Sequence, residues 1–196
     1  MMAKLTVKCG LILIIALLIG CGGLRFSQVS PEAKDFHPKR IAIFPADVGS
    51  YEEARGIVEK VVAGVIAEKK WFADIMDVES LNRQVAANEE LRKTMETYLS
   101  KLRTVNFSDD ALSKKIGQLT KVDAFLLIGV DYWNYAVEND KKVGKAGLSF
   151  KFVDVTTGKI MWKAGHHIAD SYRLIKPDLP DVAKNVAKDM IEEMPH

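Results

Sequence analysis

The amino-terminal segment carries the feature that most limits where this chain can fold. Lys4 and Lys8 precede an uninterrupted apolar run over Leu11–Ile19. A helix that crosses a bilayer needs about 20 apolar residues, and this run has less than half of that length. A basic start followed by a short apolar run is typical of an export signal. We therefore predict that residues 1–20 form a signal peptide and that the rest of the chain folds outside the cytoplasm.

The apolar run ends in the motif Leu18-Ile19-Gly20-Cys21, which resembles the lipobox of bacterial lipoproteins. The resemblance implies cleavage before Cys21, a diacylglycerol thioether on its sulfur, and a further acyl chain such as palmitate on the new amino terminus. The alternative is a conventional signal peptide whose small residues happen to precede a cysteine. In lipoprotein families an Asp after the acylated cysteine often signals inner-membrane retention. Gly22 stands there and favours the outer membrane, with the protein facing the periplasm.

The cysteines and the charges agree with this interpretation. Cys9 lies inside the signal, so the mature chain keeps only Cys21 and forms no internal disulfide. An exported domain of this size then relies on its hydrophobic core. Loss of Lys4 and Lys8 leaves equal numbers of basic and acidic residues, which gives no indication of a nucleic-acid partner. Attachment to the membrane therefore rests on the acyl chains.

The segment after the cysteine is predicted to be a tether. Residues 22–39 contain two prolines and scattered charges without a sustained apolar period, a composition typical of linkers. We predict an acylated cysteine and flexible tether over residues 21–39, followed by one α/β domain over residues 40–196. Fully extended, the tether would reach about 60 Å and hold the domain clear of the lipid.

The first half of the domain predicts a βαβ unit followed by polar helices. The apolar run Arg40–Pro45 and the segment Trp71–Val78 are predicted strands. Between them, Ser50 and Glu53 have the spacing of a capping box, and apolar residues follow at helical spacing up to Ile66. A long polar helix capped by Asp77 or Ser80 is expected over about residues 81–102, and a shorter one over about residues 108–120.

The last third predicts an antiparallel three-strand meander. Strands are expected over residues 122–136, 147–155 and from residue 160 onward, with turns at Asn139-Asp140 together with Gly144 and at Thr156-Thr157-Gly158. A final amphipathic helix is expected over about residues 178–193. The fold class is therefore α/β: a mixed sheet with a βαβ start, an antiparallel three-strand meander, and helices packed on the sheet.

The order of these segments and the residues over Val153–Trp162 (VDVTTGKIMW) resemble one known group. This group is the periplasmic domain of the curli-secretion lipoprotein CsgG family, with the penicillin-binding-protein activator LpoB and the amino-terminal domain of TolB. The similarity covers about residues 40–169 and implies a three-layer α/β domain without an active site. The turn itself has a structural explanation, because Asp154 and Thr157 can bond its backbone, Gly158 supplies a positive φ, and Trp162 packs inward.

The sequence contains no motif for catalysis, nucleotide binding or metal binding, so we predict neither an enzyme nor a cofactor. His166 and His167 are adjacent on a strand and should point to opposite faces, which prevents them from binding one metal together. Tyr132, Trp133 and Tyr135 extend the central strand past its apolar half. They are either a sheet-edge cluster or a docking patch, in which case alanine at residues 133 and 135 should weaken partner capture without unfolding the domain.

The leading prediction is a non-catalytic, lipid-anchored envelope protein whose periplasmic domain binds another envelope protein, in assembly or cell-wall regulation. The alternative is an oligomeric outer-membrane secretion component of the CsgG type. Barrel hairpins need paired strands of about 9–11 alternating residues, and the sequence between residues 81 and 106 predicts a charged helix instead. We therefore expect no pore, while homo-oligomers remain compatible with either alternative.

Overall fold

Six strands form one mixed sheet in the computed structural model, which describes residues 25–105 and 108–196. The strands are β1 (Phe26–Val29), β2 (Arg40–Ile43), β3 (Asp74–Met76), β4 (Ala124–Glu138), β5 (Lys141–Asp154) and β6 (Ile160–Tyr172). The helices are α1 (Ile57–Lys69), α2 (Val78–Ala87), α3 (Glu89–Val105), α4 (Asp110–Thr120) and α5 (Leu179–Ile191). The strand order is β1-β6-β5-β4-β2-β3, which confirms the predicted fold class. No helix in these two ranges is long and apolar enough to cross a bilayer.

The βαβ start lies at one side of the sheet. β2 pairs in parallel with β3 and with β4, so that Ile41 lies between Ile75 and Ala124. Ile41 and Ile43 are fully buried, as expected for a parallel strand covered by helices on both faces.

The meander makes up the other side of the sheet. β4, β5 and β6 pair antiparallel in sequence order. The turn between β4 and β5 lies at Asn139 and Asp140, as predicted, and both residues have positive φ values of 49° and 61°. Asn and Asp tolerate this conformation better than most residues. Gly144, also predicted to belong to this turn, lies within β5 opposite Tyr135, so that β5 begins six residues before its predicted start.

Helices cover both faces of the sheet. α1 and α5 pack on one face, over a cluster that includes Trp162, Phe150 and Phe152. α2, α3 and α4 cover the other face, where Phe44 stacks on Phe125 at 4.4 Å between ring centroids. The result is a three-layer domain with one core cluster on each face of the sheet.

The predicted tether is wrong for most of its length. Phe26–Val29 forms β1 and pairs antiparallel with β6, from Phe26 opposite Gly165 to Val29 opposite Trp162. A short 3-10 helix follows at Pro31–Asp35, and Ala33 and Phe36 are buried in the core. Linker composition did not reveal this strand, because an edge strand needs apolar contact on only one side.

The helix after β2 begins later than predicted. Glu52–Ala54 forms a short 3-10 turn, and α1 begins at Ile57 after Gly56. Gly56 has a φ of 76°, which glycine adopts without steric cost. The predicted capping box at Ser50 and Glu53 is therefore wrong.

Glu59 caps the amino terminus of α1 instead. Its carboxylate is buried and accepts hydrogen bonds from two backbone N–H groups, that of Gly56 at 2.7 Å and that of Ala46 at 3.1 Å. One side chain thus caps α1 and holds the chain that leaves β2.

We expect Glu59→Ala to lower the free energy of unfolding by about 2–4 kcal/mol, because the buried N–H of Ala46 would lose its partner at roughly 1–3 kcal/mol and the part-buried N–H of Gly56 would lose a helix cap that contributes about 1 kcal/mol. The matched control is Glu53→Ala at an exposed position, where the change should stay within about 0.5 kcal/mol. Urea unfolding of both variants measures the difference. Equal losses would contradict the assignment of the cap to Glu59.

The predicted long polar helix is two helices. Asp77 caps α2 by accepting from the N–H of Ser80 at 2.8 Å. The helical conformation is interrupted at Asn88. The side-chain oxygen of Asn88 accepts a hydrogen bond from the N–H of Leu91 at 3.0 Å and caps the start of α3. α4 has its own cap at Asp109, as the acidic start of that segment indicates.

Candidate functional site

The aromatic segment of β4 divides between the core and the surface. Trp133 is 3% exposed and belongs to the core cluster under α5. It is therefore not available as a surface anchor, and Trp133→Ala would alter the fold rather than test docking. A register shift between Val130 and Tyr132 turns Trp133 toward the core, and sequence alternation alone does not show it.

Tyr132 lies on the opposite face of the sheet and has partners within the chain. The Lys145 ammonium lies 4.1 Å from its ring centroid, and His167 meets the ring edge-on at 5.5 Å. Gly147 makes room for it, since a Cβ there would approach the Tyr132 ring to 2.6 Å. Burial, followed by the charge of Lys145, lowers the pKa of His167. Tyr132 thus forms a small cluster with Lys145 and His167 on this face of the sheet.

Tyr135 is 41% exposed and holds the loop between β6 and α5. Its hydroxyl donates to the carbonyl of Pro177 at 2.9 Å, and the Lys176 ammonium lies 4.6 Å from its ring centroid. Tyr172 meets the ring edge-on at 6.1 Å. Pro177 also lies against Gly144, where a Cβ would approach it to 2.5 Å. These contacts fix the path of the loop.

The fixed loop presents two of the most exposed apolar side chains in the described residues. Leu174 is 95% exposed and Ile175 87% exposed, and Val137 near the tip of β4 is 69% exposed. Together with Tyr135 and Tyr172 we call these residues the distal patch. Lys141, Lys142, Arg173 and Lys176 are exposed around it. The sequence analysis missed Leu174 and Ile175, although an apolar pair between two cations in a loop is a usable signal.

We expect Tyr135→Phe to loosen this loop by about 1 kcal/mol, because one hydrogen bond is lost. Trypsin cleavage after Arg173 should then become about fivefold faster, with the overall free energy of unfolding changed far less. The matched control is Tyr172→Phe, which keeps the ring contact and should cleave at the rate of the unaltered protein. Identical rates for all three proteins would contradict the role of Tyr135.

The adjacent histidines lie on opposite faces, as predicted. The Nε2 atom of His166 is 3.6 Å from a carboxylate oxygen of Asp189 on α5, whereas His167 faces Tyr132. The Nδ1 atoms of both histidines are buried and have no hydrogen-bond partner among the described residues. Within residues 25–105 and 108–196, no group of three or more His, Cys, Asp or Glu side chains is arranged to hold a metal ion.

The turn after β5 has the structural role predicted for it. The Thr157 hydroxyl donates to Asp154 at 2.7 Å, and Gly158 has a φ of 68°. Gly158 also packs against the start of α4, since a Cβ there would approach Asp110 Cα to 2.5 Å. Trp162 is fully buried. These residues form the turn between β5 and β6 and its packing, and the contacts described here are structural.

An open cleft of about 660 Å³ lies beside this turn, between β1 and the start of α4. Lys159 reaches across to Glu32, with 2.7 Å between ammonium and carboxylate, and this bond lowers the pKa of Glu32 to about 2. β1 has a partner strand on its β6 side alone in the described part of the chain. Val29, half-exposed, lines the cleft at this free edge.

Cys21, the predicted lipidation site, lies outside the described residues. The first described residue, Arg25, follows it by four positions. The structure therefore places the folded domain immediately after the proposed anchor.

Comparison of this fold with solved structures finds clear similarity at low sequence identity. The chain is similar to the PelC dodecamer from Paraburkholderia phytofirmans, with a TM-score of 0.57 and 14% identity over 87% of this chain and 98% of that chain. A variant of the same PelC matches with a TM-score of 0.55, at 14% identity over 85% and 94% of the two chains. The lipoprotein GNA1162 from Neisseria meningitidis matches with a TM-score of 0.51 and 15% identity, over 80% and 100%.

No protein-family model matches the chain, and no curated protein matches it in sequence. The similarity to these solved structures, at 14–15% identity, therefore shows a similar fold and no family.

Proposed function

We propose that this chain is a lipid-anchored protein of the bacterial cell envelope that acts by binding other proteins rather than by catalysis. Acyl chains on Cys21 attach it to the outer membrane, and its domain faces the periplasm. The observation that carries the proposal is the lipobox at Cys21, placed only a few residues before a strand of the folded sheet. A structural neighbour, GNA1162, is itself named a lipoprotein.

The surface chemistry of the described residues is consistent with a binding role. Most of the exposed carboxylates and guanidinium groups with shifted pKa values are partners in surface ion pairs, such as Glu32 with Lys159 and Glu89 with Arg92, and Asp77 is a helix cap. Such pairs stabilise a surface only slightly. None of them meets a nucleophile and an orienting base, the arrangement that catalysis requires. The proposed function therefore contains no reaction.

The partner that the observations favour first is another copy of the chain. PelC, which this chain matches over 98% of the PelC chain, is a dodecamer. β1 and β3 end the sheet, and each has a neighbouring strand on one side among the described residues. Contacts between two different edges repeat head to tail, and such contacts form a ring when the rotation from one copy to the next closes.

The secretion-pore alternative has less support. A barrel hairpin needs strands of about 9–11 residues exposed to lipid. Trp133 is buried in the core, and the part of β4 beyond it is much shorter than that. Discrete channel conductance from detergent-extracted protein would nevertheless establish the alternative.

The mass of the detergent-extracted protein tests the proposal, with chemical crosslinking in intact cells as a second measurement. We expect species at multiples of the mass of one mature chain. Val29→Lys should reduce them, because it places a charge at the free edge of β1. The matched control Ile57→Lys changes an exposed apolar residue on α1 and should leave them intact. A single-chain mass in detergent, together with no crosslinked protein in cells, would refute the binding function.

A further inference from the structure

We propose that the distal patch rests on the lipid bilayer, with Leu174 and Ile175 inserted among the headgroups. This inference rests on the proposed anchoring at Cys21 and adds a second point of membrane contact. Three properties of this end of the molecule support it: its distance from the anchor, its composition and its rigidity.

The anchor lies close to the sheet. Four residue steps separate Cys21 from Arg25, and a chain spans at most about 3.6 Å per step. Cys21 is therefore held within about 14 Å of Arg25. Because β1 is part of the sheet, no longer linker is available to lift the domain off the membrane.

The chain enters the sheet from the end that bears the distal patch. Phe26 pairs antiparallel with Gly165, so Arg25 is level with His166, and the direction back toward Cys21 is the direction of β6 toward Tyr172. From His166 to Tyr172, β6 extends about 20 Å at roughly 3.3 Å per residue. This exceeds the reach of the linker, so the loop after Tyr172 projects past the anchor.

The opposite end of the sheet is not accessible to the anchor. A reversal toward the turn at Thr156 would use the same few linker residues to form the turn itself. The distance along β6 from His166 to Ile160, beside this turn, is also about 20 Å. The remaining linker residues would be too few to span it. The distal patch is therefore at the end nearer to the membrane.

The composition of this end suits a bilayer interface. Leu174, Ile175 and Val137 are among the most exposed large apolar side chains of the described residues, and tyrosines are favoured at membrane–water interfaces. Four surrounding cations, Lys141, Lys142, Arg173 and Lys176, are exposed. Each cation near an anionic lipid surface contributes about 1 kcal/mol. Asp140, Asp170 and Asp178 offset part of this charge, and Glu138 is paired with Lys145.

The patch is held in shape before it binds. The hydrogen bond from Tyr135 to Pro177 and the packing of Pro177 on Gly144 fix the loop. A fixed loop loses little conformational entropy on binding, so more of the apolar burial appears as affinity. The alternative occupant is a second copy of the chain. The excess of cations at this end disfavours contact between the distal patches of two copies, because like charges would repel.

Site-specific labelling tests the inference in the mature, acylated protein. Its one native cysteine is blocked by the acyl thioether, so Leu174→Cys provides a single reactive thiol for an environment-sensitive fluorophore. The protein is reconstituted into vesicles of phosphatidylethanolamine and phosphatidylglycerol, with and without a lipid-borne quencher. Thr156→Cys, exposed in the turn at the opposite end, is the matched control.

We expect the label at residue 174 to shift to the blue on vesicles and to be quenched by the lipid-borne quencher, with neither change at residue 156. Protein that floats with vesicles while the label at residue 174 stays in water would overturn the membrane contact alone. A blue shift without lipid quenching would show that a second copy covers the patch, and would also overturn it. Failure of the acylated protein to float would instead remove the proposed anchor, and the inference with it.

Discussion

Cys21→Ser is expected to abolish incorporation of labelled palmitate and to remove the protein from the outer-membrane fraction. The serine hydroxyl lacks the sulfur that the lipobox resemblance requires for the diacylglycerol thioether. The mature chain has no charge excess to hold it on the membrane once the acyl chains are gone, whereas more than one acyl chain anchors a protein stably. The loss should therefore be nearly complete. Palmitate labelling and fractionation of cells measure it.

Cys9→Ser provides the matched control within the same chain. Cys9 lies inside the predicted signal, so its replacement should leave palmitate incorporation and fractionation unchanged. Label retained after Cys21→Ser, or lost after Cys9→Ser, would contradict the assignment of the anchor to Cys21. The first result would leave the folded domain without its proposed membrane attachment.

Trp162→Ala is expected to lower the free energy of unfolding by about 3–5 kcal/mol. Trp162 is among the largest fully buried side chains, and it packs against Phe150 with 6.0 Å between ring centroids. Its indole N–H donates to the Ser27 hydroxyl at 3.1 Å. The substitution thus leaves a large cavity and releases β1 from its side-chain contact with β6. Domains of this size are stable by about 5–15 kcal/mol, so the loss is a large part of the total.

Urea unfolding measures this loss, and Trp162→Phe separates its causes. Phenylalanine keeps most of the buried ring but removes the hydrogen bond to Ser27, so a loss of about 1–2 kcal/mol is expected. If the alanine variant does not fold, the phenylalanine variant still gives a measurable value. A loss below about 1 kcal/mol for alanine would contradict the burial of Trp162 in the core.

The meander was predictable because its signals are local. The turn over Asp154–Gly158 is held by hydrogen bonds between residues two to four apart, and its glycine has the expected positive φ. Asn139 and Asp140 likewise turn the chain through their own backbone conformation. The alternation of apolar residues between these turns was enough to identify β5 and β6.

The candidate site was predicted only in part, because exposure depends on what packs above a residue. Trp133 and Tyr135 lie two positions apart on β4 and therefore on the same face of the strand. The core nevertheless buries Trp133, whereas Tyr135 is exposed. Leu174 and Ile175 lie in a loop that has no periodicity to interpret. Their display depends on Tyr135 and Pro177, which lie far apart in the sequence.

The sequence by itself predicted the export and lipidation signal, and it indicated the order of the strands and helices from β2 onward, apart from the division of the polar helix into α2 and α3, and the chemistry of the turns. Each of these depends on residues within a few positions of one another. Only the tertiary structure decided that the predicted tether contains a strand, that Glu59 rather than Glu53 caps the first helix, and that Trp133 belongs to the core. The pairing of Phe26 with Gly165 joins residues at opposite ends of the chain, and such a contact is set by packing across the whole sheet rather than by any local pattern.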